Sequence, residues 1–209
     1  MNMARASKNK QDLRSEATRQ RLVAAARALF AERGYAGVGT EEIVQAAGVT
    51  RGALYHQFQD KADLFAAVAE TAQAEVARRI TSGAQADGPA DPMTALYAGV
   101  RRFLEACADP AVERILLLDG PAVLGWQAWR ELSDRYGLGL LQHGLQEAID
   151  TGAIAPQPVV PLTHVLIGAL DESALYVARA SDPAAARQQC VAILQQLLGG
   201  LRPDAGQRS

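Results

Sequence analysis

The side chains best placed to do chemistry are crowded into residues 40–58, TEEIVQAAGVTRGALYHQF. They are hydrogen-bonding groups set along two short helical patterns with Gly48 between them. The first pattern turns Ile43 and Ala47 inward, Gly48 reverses the chain and Val49 plugs the corner. The second turns Leu54 and Phe58 back to the same core and points its first residues outward. A helix fits the major groove of DNA, where the amino-terminal residues of the second helix reach base edges while the first helix crosses the backbone. Gly52 and Ala53 are small enough to let that helix approach closely. An ordinary helical hairpin has the same helix–glycine–helix outline, so spacing alone leaves both readings open.

Enzyme chemistry finds little footing elsewhere. The three histidines, His56, His143 and His164, show neither an HExxH pattern nor paired metal-ligand spacing. There is no Gly-x-Ser-x-Gly elbow, and the glycines of YGLGLLQHG have the wrong spacing for a phosphate loop and no strand before them. No catalytic residue, metal or cofactor is expected. Cys107 and Cys190 fall on separate expected helices and read as small buried hydrophobes rather than as a disulfide or a metal site.

A net charge of −2 over 209 residues argues at face value against a nucleic-acid partner. Divided, the charge is +3 over residues 1–64 and −5 over residues 65–209. The first 33 residues alone hold eight basic side chains (Arg5, Lys8, Lys10, Arg14, Arg19, Arg21, Arg27 and Arg33) against three acidic ones. A basic front and an acidic body suggest two modules with different partners, although a solvated tail would carry the same charges. No apolar run follows the basic start, and no stretch approaches the roughly 18–20 apolar residues of a membrane span. The expectation is a soluble, cytoplasmic protein with no membrane partner.

Alanine is abundant and aromatic residues make up 5%, which favours helix over strand. The expected fold is all-α with about nine helices. Leu22, Val23, Ala26, Leu29 and Phe30 set a helical rhythm from about Ser15 to Arg33, closed by Gly34. Thr40, Thr50 and Asp60 read as caps of three further helices. Residues 83–92 (GAQADGPADP) read as a loop, followed by helices near 92–108, 110–119 and 121–151. Gly125, Gly137, Gly139 and Gly144 permit a break or kink in the last of these. Proline punctuates residues 155–161 before two final helices near 161–180 and 183–199. The expected division is a helix-turn-helix domain over 15–64 and a second helical domain over 65–201, with flexible tails at 1–14 and 202–209.

Taken together, FxxxGY at Phe30–Tyr35, the Thr40 cap, IxxxAGVTxGxLYxxF at Ile43–Phe58 and DKxxLF at Asp60–Phe65 resemble the TetR family of transcriptional regulators. The resemblance covers roughly residues 18–65. It implies a homodimer that grips a palindromic double-stranded DNA operator and binds a small effector in its carboxyl-terminal domain. On that resemblance Thr50, Arg51, Gly52 and Ala53 occupy the base-facing positions. Arg51 is the long donor among them and is the candidate for bidentate readout of guanine, with a phosphate contact or a solvent-facing role as the alternatives. Tyr55 and His56 can donate to phosphate oxygens, as can Lys61 at the next helix's amino end. Thr40 is placed likewise, or serves only its own helix. Gln57 stands where the family commonly has His, keeping an amide donor but no positive charge. Gly39 replaces the usual Ser or Thr before Thr40. The basic arm before Ser15 can follow the backbone or the minor groove, or remain a solubilising tail.

In the body, Leu162, Val165, Leu166, Ala169, Ser173 and Tyr176 share one side of the penultimate helix. Ala186, Cys190, Ile193, Leu194, Leu197 and Leu201 recur along the last. Two such helices can pair with their symmetry mates in a four-helix dimer interface, or can simply be core. Both tryptophans, Trp126 and Trp129, lie near His143, so these three are the candidate lining of a pocket for a lipophilic or aromatic effector. His164, Asp171, Glu172 and Tyr176 are possible polar handles, and each aromatic can equally be core. The expected function is a ligand-responsive DNA-binding transcriptional regulator, most often a repressor in the look-alike family. The alternative is a helical small-molecule carrier or interaction module with a vestigial helix-turn-helix.

Overall fold

The computed structural model describes the backbone of residues 2–87 and 91–203, and the side chains of 13–84 and 91–203. These residues form nine helices and no strand: α1 (Asn2–Arg33), α2 (Thr40–Ala47), α3 (Arg51–Gln57), α4 (Lys61–Asp87), α5 (Pro92–Cys107), α6 (110–124), α7 (Trp126–Asp150), α8 (Val159–Ala178) and α9 (Pro183–Gly199). None of them is long and apolar enough to cross a membrane.

The amino-terminal unit is held by a single apolar knot. Leu22, Ala26 and Phe30 line one side of α1 at intervals of four residues, and all three are buried. Ile43 and Ala47 of α2, Leu54 of α3 and Leu64 and Phe65 of α4 close around them. Phe30, Tyr35 and Phe65 meet edge to face or tilted, with ring centroids 5.2–5.7 Å apart, a geometry that suits aromatic quadrupoles. α1 begins at Asn2, well before the Ser15 start that the apolar rhythm marks. The side chains of Arg5, Lys8 and Lys10 in the basic arm lie outside the described residues.

Thr40 is not a cap. The cap position is Gly39, with extended backbone (φ −90°, ψ 154°), and Thr40 is the first helical residue with no capping bond. Its place is taken by Glu42, three residues inside the helix, whose carboxylate accepts the Gly39 N–H. That acid also pairs with Arg33, which holds its carboxyl below the usual carboxylate range. Thr50 and Asp60 do cap: the Thr50 hydroxyl accepts the Ala53 N–H at 3.2 Å, and Asp60 accepts that of Asp63 at 2.8 Å.

The body is built on α4, which packs against α1 on one side and α5 and α7 on the other. Its helical pattern continues through Gly83 to Asp87, so half of the expected 83–92 loop is helix; residues 88–90 lie outside the described ones. α6 is helical throughout but not uniform: Pro110–Val112 is α, Glu113–Asp119 is π-helical, and Gly120–Leu124 is α again. The break before α7 falls at Gly125, and α7 then runs unbroken through Gly137, Gly139 and Gly144. Those glycines serve packing instead: a Cβ on Gly137 would sit 2.8 Å from Ile167 Cδ1, so its absence lets α8 lie close against α7. α8 starts at Val159, two residues before the expected 161, with Pro161 in its first turn where a missing N–H is harmless.

Gly34 ends α1 with φ +73°, its N–H bonded to the Phe30 carbonyl at 2.8 Å, and the Arg114 guanidinium of α6 lies where its Cβ would be. Gly34→Ala therefore meets both backbone strain and a displaced arginine. It is expected to destabilise the fold by about 1–2 kcal/mol, lowering the melting temperature by roughly 2–8 °C. The comparison is Gly139→Ala in α7, which has open space around it and should gain about 0.5–1 kcal/mol. Calorimetric melting of both variants checks the contrast.

Candidate nucleic-acid interface and apolar cavity

The turn between α2 and α3 rests on Gly48 at φ +60°, ψ 41°, whose N–H closes onto Gln45. Its carbonyl accepts a bond from Arg21 of α1 at 2.9 Å, which fixes the angle at which α3 leaves the turn. Leu54 and Phe58 then anchor the inner side of α3, and the Arg19 guanidinium lies 4.5 Å over the Phe58 ring. With one side committed, Arg51, Gly52, Tyr55 and His56 are left exposed on the other. Arg51 is 66% exposed, pairs with Glu41 at 3.4 Å and lies 5.6 Å over the Tyr55 ring. An exposed pair of this kind is worth little and is screened by salt, so it pre-orients the guanidinium without holding it back.

The remaining candidates divide by what they already bond. The Thr50 oxygen accepts a capping bond, which leaves its own O–H to donate outward. Ala53 is half-buried behind Gly52. Gln57 donates its amide to the Ser15 hydroxyl at 2.7 Å, tying α3 to α1. Lys61 donates to the carbonyls of Tyr35 and Val38, both at 3.0 Å, and sits 4.0 Å over the Tyr35 ring. Both residues therefore brace the unit from within.

The brace extends into the body. The Tyr35 N–H donates to the Asp119 carboxylate at 2.7 Å, so the turn after α1 is held by Lys61 of α4 and by the end of the π-helical segment. Nothing in local sequence pattern announces this contact, because its partners are 84 positions apart.

In the body, α4, α5, α7 and α8 enclose a cavity of about 240 Å³ with mainly apolar walls, Val76, Ile80, Phe103, Leu141 and Ile167 among them. His143 does line it, from an exposed position that puts it at the rim. The two tryptophans do not line it. Trp129 is core, its indole N–H donating to the Leu116 carbonyl of α6 at 2.7 Å, and Trp126 is exposed and packs tilted against it with ring centroids 5.0 Å apart. Their position at the start of α7 puts them beside α6, a turn or more from the cavity-lining stretch of the same helix. His164, Glu172 and Tyr176 are likewise exposed on α8.

Of the expected handles on α8, Asp171 lines the cavity, whose polar lining also includes Arg102, Ser133, Tyr136 and Glu147. Asp171 is 5% exposed and accepts from the Ser133 hydroxyl at 3.0 Å and from Arg130 at 3.1 Å. Burial pushes its carboxyl up to about 6, against the opposing pull of Ser133 and Arg130. Burial, with the charge of the same carboxylate, pushes the neighbouring Cys107 thiol up and keeps it protonated. Among the described residues no group of His, Cys, Asp and Glu is arranged to hold a metal ion.

Residues 22–68 match the family described as bacterial regulatory proteins, tetR family. Residues 93–201, about half of the chain, match the tetracyclin repressor-like carboxyl-terminal domain. The HTH-type transcriptional regulator AcrR of Shigella flexneri is 35% identical over 112 residues, 54% of this chain and 51% of that protein. The TetC protein of transposon Tn10 from Escherichia coli is 26% identical over 196 residues, 94% of this chain and 98% of that one. The chain thus spans about half of one relative and nearly all of the other. The crystal structure of a TetR-family transcriptional regulator from Pectobacterium atrosepticum superposes with a TM-score of 0.80 at 35% identity, covering 91% of this chain and 96% of that one.

A carboxyl whose value in the folded state is raised is stabilised by folding only in its protonated form. Its contribution is therefore complete below the ordinary value near 4 and is lost as pH rises through about 6. Asp171→Asn removes this titration. Urea unfolding of both proteins between pH 4 and 7 should show the variant gaining roughly 2–3 kcal/mol on the wild type across that range. A difference that does not change with pH would contradict the assignment.

Proposed function

This chain belongs to the TetR family of bacterial transcriptional regulators, and from that premise we propose that it is a ligand-responsive repressor working as a homodimer. The observation that carries the DNA reading is the exposed outer face of α3, with Arg51, Tyr55 and His56 outward and Leu54 and Phe58 locked inward. Arg51 reads a base, and Thr50, Tyr55 and His56 hold phosphates. Gly52 and Ala53 allow the close approach. Thr40 lies beside them at the first turn of α2 and contributes a hydroxyl, whereas Gln57 and Lys61 act mainly by bracing the unit.

Dimerisation is supported by the outer face of α8 and α9. Val160, Val165 and Tyr176 of α8 and Ile193 and Leu197 of α9 are each more than half exposed, with Val165 at 69%. A run of large apolar side chains on two adjacent helices favours burial against another copy. Two copies then present two α3 helices to successive major grooves, about 34–36 Å apart.

The effector site is the cavity between α4, α5, α7 and α8. A ligand there works by population shift: it favours a spacing of the two α3 helices that no longer matches the operator, and must bind the two states unequally to do so. Two routes lead from the cavity to the DNA-binding unit. Along α4, the wall residues Val76 and Ile80 share a helix with Lys61. Through α6, Asp119 holds the Tyr35 N–H.

Two measurements test this reading. Arg51→Ala should weaken binding to a mapped operator by roughly 1–3 kcal/mol and relax specificity at one base pair; unchanged titration curves would remove Arg51 from base readout. Val165→Glu should convert a dimer into a monomer in sedimentation at micromolar concentration and abolish operator binding, and a monomeric wild type would overturn the two-helix interface.

A further inference from the structure

We infer that the cavity takes a small, uncharged, single-ring compound whose hydroxyl group donates to Asp171. The inference rests on the cavity being the effector site and names the class of molecule that site takes.

Size comes first. A dry 150 Å³ cavity in a protein core holds benzene, so 240 Å³ scales to about ten non-hydrogen atoms, one ring with short substituents. Extended acyl chains and fused polycyclic molecules would project from its rim at Leu140 and His143. The walls fit the body of such a ring, since Ile80, Phe103, Leu141 and Ile167 offer no polar atom.

The deep end sets the chemistry. Asp171 and Ser133 are buried, while Leu140 and His143 at the other end are exposed, so a ligand that fills the cavity puts one end against the carboxylate. A carboxylate offers about four acceptor positions. In this structure Ser133 and Arg130 supply donors to Asp171, which leaves acceptor capacity beside the cavity. Burial raises the proton affinity of the group, and a further donor would offset that cost.

Charge then discriminates among donors. A ligand carboxylate at the deep end would meet Asp171 as a like charge in a buried site. A ligand ammonium would compete for a carboxylate that Arg130 already neutralises at 3.1 Å, and would have to leave water to do so. A neutral hydroxyl adds the missing donor without a second buried charge.

The test uses the full chain and five one-ring probes: phenol, anisole, toluene, benzylamine and benzoate, each titrated by calorimetry near pH 7.5. Phenol should bind about 10- to 100-fold more tightly than anisole or toluene, the range for one hydrogen bond to a charged acceptor. Benzylamine and benzoate should bind more weakly than phenol. In Asp171→Asn the preference for phenol over anisole should shrink to a few-fold while anisole binding persists. Leu141→Trp, which fills the space from the wall, should abolish binding of every probe. Equal affinity for phenol and anisole, or tighter binding of benzylamine or benzoate, overturns the inference even if Asp171→Asn fails to fold. Operator titration with and without phenol separates the two readings. Selective phenol binding with unaltered DNA affinity would keep the ligand class and reject the effector role. Operator release by toluene or anisole as effective as by phenol would keep the effector role and reject the class.

Discussion

The turn from Gly34 to Gly39 is the constraint on which the rest of the molecule depends. It joins α1 to α2 and carries no regular structure of its own, so its backbone polar groups must find partners elsewhere. They find them in two other elements. Asp119 of α6 accepts the Tyr35 N–H, and Lys61 at the start of α4 donates to the carbonyls of Tyr35 and Val38. The Arg114 guanidinium fills the space left by the missing side chain of Gly34. One irregular segment thereby fixes how the DNA-binding unit sits on the body. Removing either donor or acceptor would leave part-buried backbone groups unpaired, which is worth more than the bond itself.

This arrangement gives the π-helical segment a reason. A π stretch is intrinsically poor in hydrogen-bond geometry and is kept where a displaced carbonyl or side chain has work elsewhere. Here both ends of that work are visible. The Leu116 carbonyl accepts the Trp129 indole, fixing α6 to α7, and Asp119 at the end of the stretch reaches back to Tyr35. Tyr136 adds a second tie from α7: its ring borders the cavity and its hydroxyl donates to Glu70 of α4 at 3.2 Å. In the proposed mechanism these bonds make the body rigid enough that a change in the cavity is carried to α3 rather than absorbed locally.

Much of this was legible in the sequence where the determinants are local. The helix-turn-helix follows from Ile43, Ala47, Leu54 and Phe58 at fixed spacing around Gly48, and the caps at Thr50 and Asp60 are visible as residue types. Thr40 misled because Gly39 takes the cap position and Glu42, inside the helix, holds the Gly39 N–H, so no side chain at the cap accepts from the first turn. The tryptophans misled because aromatic clustering marks a packed region without saying whether it faces a void or a neighbouring helix. Trp129 faces α6. Asp171 was visible only as one acid among several on α8; its burial depends on α7 lying close, which Gly137 permits. Contacts between residues 27 to 84 positions apart, such as Arg21 with Gly48 or Tyr35 with Asp119, leave no periodic trace.

The described basic side chains of the amino-terminal unit are largely engaged within it. A net +3 over residues 1–64 suggests a basic surface, yet four arginines of α1 already have partners within the protein. Arg27 pairs with Glu75, Arg33 with Glu42, Arg21 holds the Gly48 carbonyl and Arg19 lies over Phe58. These cations hold the domain together rather than forming a phosphate-facing sheet of charge. Lys61 is committed in the same way. In the proposed mode, what remains for DNA on the described surface is Arg51 with neutral donors beside it on α3, and the exposed Arg14 of α1. Affinity in such an arrangement rests on shape fit and on doubling the contact across a dimer. The salt dependence of binding should then be shallower than the count of basic residues implies, because log K falls in proportion to the phosphates actually neutralised.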